Sequence, residues 1–119
     1  MDSSSFCRDL CEARILALSL DLSSKRVLLS AQLTDAGHVK LFAIEARGLR
    51  AFEYSDPEAD SWEQVELTEI TLQQLTTADE GWHLSVSLWD QAELSIECVS
   101  LWVDGQLLRN TGDCHHGAP

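Results

Sequence analysis

The stretch Trp82–Val103 reads WHLSVSLWDQAELSIECVSLWV. Trp82, Leu84, Val86 and Leu88 alternate strictly with His83, Ser85, Ser87 and Trp89. Asp90–Ala92 interrupts the run, and Leu94, Ile96 and Cys98 then alternate with Ser95, Glu97 and Val99. A period of two marks a strand with one buried face, and two such runs about a short polar break make an antiparallel hairpin. In this register Trp82 and Trp102 join the core face. Trp89 falls on the polar face with His83, Ser85 and Ser87, where an exposed indole would mark a contact surface.

The same period runs back through the chain. Ile15–Leu22 and Val27–Leu33 alternate about a Ser23-Ser24 turn, and Asp35-Ala36-Gly37 predicts a tight hairpin into Val39–Ala46. Gly48 is expected to break that strand before a short one over Leu49–Tyr54. In Trp62–Leu75 the apolar phase changes between Val65/Leu67 and Ile70/Leu72, which predicts a strand with a bulge or bend near Thr68–Glu69. Ahead of all this, Ser3–Ala13 carries Phe6, Leu10 and Ala13 at helical spacing, with Ser5 as the expected cap. These readings add up to an all-β domain, an antiparallel sandwich or curled barrel with a short N-terminal helix. It is expected over residues 1–108, with 109–119 as a flexible C-terminal tail.

Charge divides the chain. Residues 1–50 hold 7 bases and 6 acids, whereas residues 51–119 hold 14 acids and one base, Arg109. The second half therefore carries the whole net charge of −12. A field of that sign repels nucleic acid and anionic membrane and attracts basic proteins. Its densest part is Glu53, Asp56, Glu58, Asp60, Glu63, Glu66 and Glu69, without a base among them. A docking face for a basic partner is one reading, with Trp62 as its anchor; a solvated strand edge that resists edge-to-edge pairing is the other. The partner-binding candidates are thus Glu53, Asp56, Glu58, Asp60, Trp62, Glu63, Glu66 and Trp89. Asp56-Pro57-Glu58-Ala59-Asp60 spaces acids at alternate positions, as calcium ligation asks, but lacks the glycine and distal glutamate of a helix–loop–helix site.

Other chemistries leave less trace. Cys7, Cys11, Cys114, His115 and His116 offer soft ligands for zinc if the termini meet, but adjacent histidines rarely share one ion, so no metal and no cofactor are expected. His38 and His83 sit in no nucleophile motif, and Gly37, Gly48, Gly81 and Gly105 are single turn glycines, not a phosphate loop. A small enzyme or ligand-binding barrel would need a pocket near His83 and Trp89, and a structural subunit would self-associate, for instance as a homodimer. The start MDSSSFCRDLCEAR has no basic segment followed by an apolar one, and the four cysteines read as reduced thiols, which together point to the cytoplasm.

From Gly48 to Val103 the chain opens a short strand with Gly48-Leu49 and Phe52, passes an acidic loop, resumes at Trp62 and Val65, and closes on the apolar hairpin. This layout resembles that of small bacterial immunity-type proteins of toxin systems and of uncharacterised β-rich bacterial proteins. The resemblance implies a toxin-neutralising binding protein without catalytic residues of its own. It carries over no individual residue.

Overall fold

The computed structural model describes residues 1–58, 61–62, 64–75, 81–89 and 91–117. Among these, one helix precedes eight strands: α1 (Ser3–Leu10), β1 (Arg14–Asp21), β2 (Arg26–Asp35), β3 (His38–Ser55), β4 (Val65–Leu75), β5 (Gly81–Leu88), β6 (Ala92–Val103), β7 (Gln106–Leu107) and β8 (Cys114–Gly117). The protein is all-β with a short N-terminal helix, as the alternation predicts. Every strand pairing is antiparallel, in the order β1-β2-β3-β6-β5-β4-β8.

The sheet curls until β1 meets β4, pairing Arg14 with Glu66 and Ile15 with Val65. The Leu67 N–H also donates to the Ala13 carbonyl at 3.0 Å. Six strands thus form a barrel, but its seam is short. Past the contact with β1, the same edge of β4 is taken by β8, through Glu69–Leu72. Closure removes most of the open edge that would otherwise invite aggregation.

Two devices bend the strands. Gly48 does not end β3. It sits at φ +71°, and a Cβ there would lie 2.6 Å from the Val99 side chain. The inward phase shifts at this point in both strands, so that Ala46 and Leu49 on β3 face Leu101 and Cys98 on β6. This shift corrects the reading of Trp102. It is carried to the outer face opposite Glu45, under the Arg47 guanidinium, 4.1 Å from its ring centroid. The second device is the expected bulge in β4, seen between Leu67 and Glu69.

The core is the barrel interior. Val27, Leu29, Ile44, Leu67, Ile70, Leu72, Leu84, Ile96 and Leu101 are all buried, and Phe6 and Leu10 from α1 join them. The helix is capped by Asp2 rather than Ser5: its carboxylate accepts the Ser5 N–H at 2.8 Å. That bond, with a second from the Ser5 hydroxyl and the charges of Arg109 and the N-terminus, holds the Asp2 carboxyl below its usual value.

The tail expectation does not hold for residues 109–117. Arg109 donates its N–H to the Met1 carbonyl and accepts from Ser3 N–H, at 3.1 and 2.9 Å. The fully buried Ser3 hydroxyl bonds Thr111 and Gly112. Cys7 and Cys114 form a disulfide across 107 positions. The reading of four reduced thiols is therefore corrected, and the cytoplasmic argument built on it loses that support; Cys11 and Cys98 are the free cysteines. No helix is long and apolar enough to cross a membrane among the described residues.

One turn gives a pH prediction. The Asp21 carboxylate accepts from the Ser23 hydroxyl at 2.8 Å and from the Ser23 and Ser24 N–H groups at 3.0 and 3.3 Å. These bonds, the Ser23 hydroxyl foremost, pull its pKa from 3.8 to about 2. A carboxyl lowered in the folded state adds stability above pH 3.8 and loses it as pH falls toward 2. A carboxyl NMR titration should place the Asp21 midpoint near that lower value, and Asp21→Asn should flatten the stability profile in that window. A midpoint at the ordinary value would show the turn is not formed.

Candidate functional site

β3 ends at Ser55 and β4 begins at Val65. Asp56 organises the start of the connection. One carboxylate oxygen accepts the Glu58 N–H at 2.9 Å, a local side-chain turn around Pro57. The other accepts the Tyr54 hydroxyl at 2.9 Å, and that hydroxyl accepts the Trp62 indole N–H at 3.4 Å. The chain Trp62–Tyr54–Asp56 fixes the indole against the core, where it is partly buried. Both oxygens of Asp56 accept hydrogen bonds inside the loop, while Ala59 and Asp60 of the alternating-acid segment lie outside the described residues.

Trp89 faces Trp62 across a cleft of about 220 Å³, floored by Val65 and Leu88 and rimmed by Asp56 and Glu58. It leaves β5 with φ +51° and 48 % of its surface exposed, its N–H donating to the Glu66 carbonyl at 3.1 Å. A left-handed backbone under a bulky aromatic side chain costs about 1–2 kcal/mol. Lys25, Ala36 and Asp104 have nearly the same φ, each at a turn between strands. On its other side Trp89 borders a second cleft of about 210 Å³ with Arg14, Gln64 and Glu66.

Four of the expected partner-binding residues thus converge on one cleft, Asp56, Glu58, Trp62 and Trp89, and Glu66 lines the second, beside Arg14. Asp60 and Glu63 lie outside the described residues. Glu53 stands apart. Its Cα partner is Ser95, on the outer face of the sheet. There it belongs to an acidic surface the sequence reading only half assembled. The register aligns Ser55, Glu93, Ser87 and Glu69 in one outward row, and Glu53, Ser95, Ser85 and Thr71 in the next. Ala51, Glu97, His83 and Gln73 form a third. No lysine or arginine stands in these rows. The cations Arg26 and Arg47 gather at the other end of β3, clasping Glu45 and holding its carboxyl below the usual range. Period two in Ala92–Val103 already put Glu93 and Glu97 on one face. What was missing was the register that sets that face beside Glu53 and Glu69.

The third row carries a familiar order of groups. His83 Nε2 lies 2.8 Å from Ser95 Oγ, and His83 Nδ1 lies 3.5 Å from Glu97 Oε1. Hydroxyl, imidazole and carboxylate follow the sequence of nucleophile, base and orienting group. β5 and β6 each have strands on both sides, so the amides of these two strands are committed to ladders. His83 also lies six residues from Trp89 along extended chain, about 20 Å away, so the expected pocket holding both is not formed. His38 stands at the exposed tip of the β2–β3 hairpin, opposite Asp35.

No family model matches the chain, and a search of curated proteins returns no match. The zinc reading of the termini is overturned by the disulfide, which takes Cys7 and Cys114 out of the ligand set, while His115 Nδ1 meets the Thr71 hydroxyl at 2.8 Å.

Proposed function

We propose that this chain is a protein-binding module that captures a cationic partner at the two-tryptophan cleft. The observation that carries the reading is the meeting of Trp62 and Trp89 with Asp56 and Glu58 around one concavity. Amphipathic, rotationally restricted aromatics are the residues that anchor interfaces, and a rim of one sign selects the partner by charge and speeds encounter. The acidic outer face, with Glu53, Glu69, Glu93 and Glu97, extends the same field around the barrel and disfavours nucleic acid and anionic membrane as partners. The layout shared with immunity-type proteins suggests a concrete form: the partner is a basic toxin whose cationic groove is blocked by the acidic surface. Bacterial origin belongs to that form, as does a cytoplasmic site, although the Cys7–Cys114 cross-link favours an oxidising compartment.

The test uses a synthetic peptide alternating lysine with valine, followed by tryptophan fluorescence. Affinity should fall as salt rises. Glu58→Gln combined with Glu66→Gln should weaken binding about three- to tenfold and flatten the salt dependence, with little change in thermal stability. The same affinity and salt slope in the double variant would exclude the cleft as the docking site.

A further inference from the structure

The barrel's seam is asymmetric. β1 is joined to β4 only at Arg14 and Ile15, yet it runs on to Asp21. Among the described residues nothing pairs with this far part of its outer edge. Leu18 and Leu20 lie opposite Leu29 and Val27, which are buried, so both point into the barrel. They nevertheless stay 37 % and 38 % exposed. Beside them opens a groove of about 340 Å³ lined by Leu18, Phe52, Tyr54 and Trp62. Its lining is almost wholly apolar. Its margins are not: the Asp56 carboxylate is held 2.9 Å from the Tyr54 hydroxyl on one side, and Asp21, paired across the strands with Arg26, closes β1 on the other.

Resting on the protein-binding reading above, we infer that an extended cationic segment of the partner adds to β1 as a further strand along Leu18–Asp21. Side chains in a strand alternate, so a segment with apolar and basic residues in turn meets both features of the site. Its apolar residues enter the groove beside Leu18, Phe52 and Trp62. Its lysines or arginines point outward, between Asp21 and the Asp56–Glu58 loop. Main-chain bonds to the edge supply affinity that does not depend on sequence, and the groove and the acids supply selection. A second copy of this chain is a poor occupant, because each would bring a net charge of −12 to the contact.

Amide hydrogen exchange on the intact protein tests this with the lysine–valine peptide as probe. Bound peptide should slow exchange within Leu18–Asp21 by about tenfold or more. The same peptide N-methylated at the residues facing β1 keeps its charge and loses its donors, and should bind about tenfold more weakly or worse. Salt-sensitive binding that leaves those amides unprotected and tolerates N-methylation would overturn strand addition while leaving the acidic cleft as the docking site. Failure of the unmethylated peptide to bind would overturn both.

Discussion

Reduction of the Cys7–Cys114 bond is expected to cost about 4–5 kcal/mol, the loss of loop-closure constraint over a separation of 107 residues. For a domain of this size that corresponds to a fall in Tm of roughly 15 °C. Melting curves with and without reductant, and of Cys7→Ala with Cys114→Ala, should agree. The effect is large because of where the bond lies. It fastens α1, which fills one end of the barrel with Phe6 and Leu10, to β8, which covers the edge of β4 that β1 leaves bare. Neither short element has enough contacts to hold alone. A thiol count on the native protein should find Cys11, while Cys98, fully buried and pushed up to about 12 by desolvation, stays unreactive until unfolding. Unchanged melting in reductant would mean that the hydrogen bonds among Met1, Ser3 and Arg109 suffice to hold the ends.

Trp62→Ala should lower affinity for the lysine–valine peptide by about 2–4 kcal/mol, a loss of roughly 30-fold to several hundredfold. Trp62 is singled out because it lines both the acidic cleft and the apolar groove, and its indole is positioned through Tyr54 and Asp56. Trp62→Phe keeps the packing and loses the N–H, so it should fall between the two. A smaller decrement is expected at Trp89, which borders the cleft but not the groove. If Trp62→Ala binds the peptide as tightly as the parent, the anchoring role assigned to this side chain is wrong, whatever the acids do.

β2, β4, β5 and β6 are legible because each buries alternate residues, and an alternation such as Trp82–Leu88 has no other stable reading. The turn signals Asp35-Ala36-Gly37 and Asp104-Gly105 held as well, with Ala36, Gly37, Asp104 and Gly105 all at positive φ. Trp102 was misjudged because alternation carries no information on where phase slips. The slip at Gly48 and Val99 is a property of two strands bending together, which neither shows alone. The ends were misread for a related reason. A polar, glycine-containing segment looks frayed in sequence, and only the partner surface of α1 and β4 gives residues 109–117 somewhere to bind. Among candidate site residues, proximity along the chain predicted Asp56, Glu58 and Trp62 together. It failed for Glu53, since the pleat turns it to the opposite side of β3 from Tyr54. The open edge of β1 left no mark in composition at all, because it depends on where β4 stops following it.

The bond between Cys7 and Cys114 makes the polypeptide topologically a ring. One backbone cut anywhere between those two residues would leave both fragments covalently joined. Such a nicked molecule would migrate as a single species on a non-reducing gel and separate into two once thiol was added. A chain severed by a protease between Cys7 and Cys114 would therefore not lose either half by diffusion.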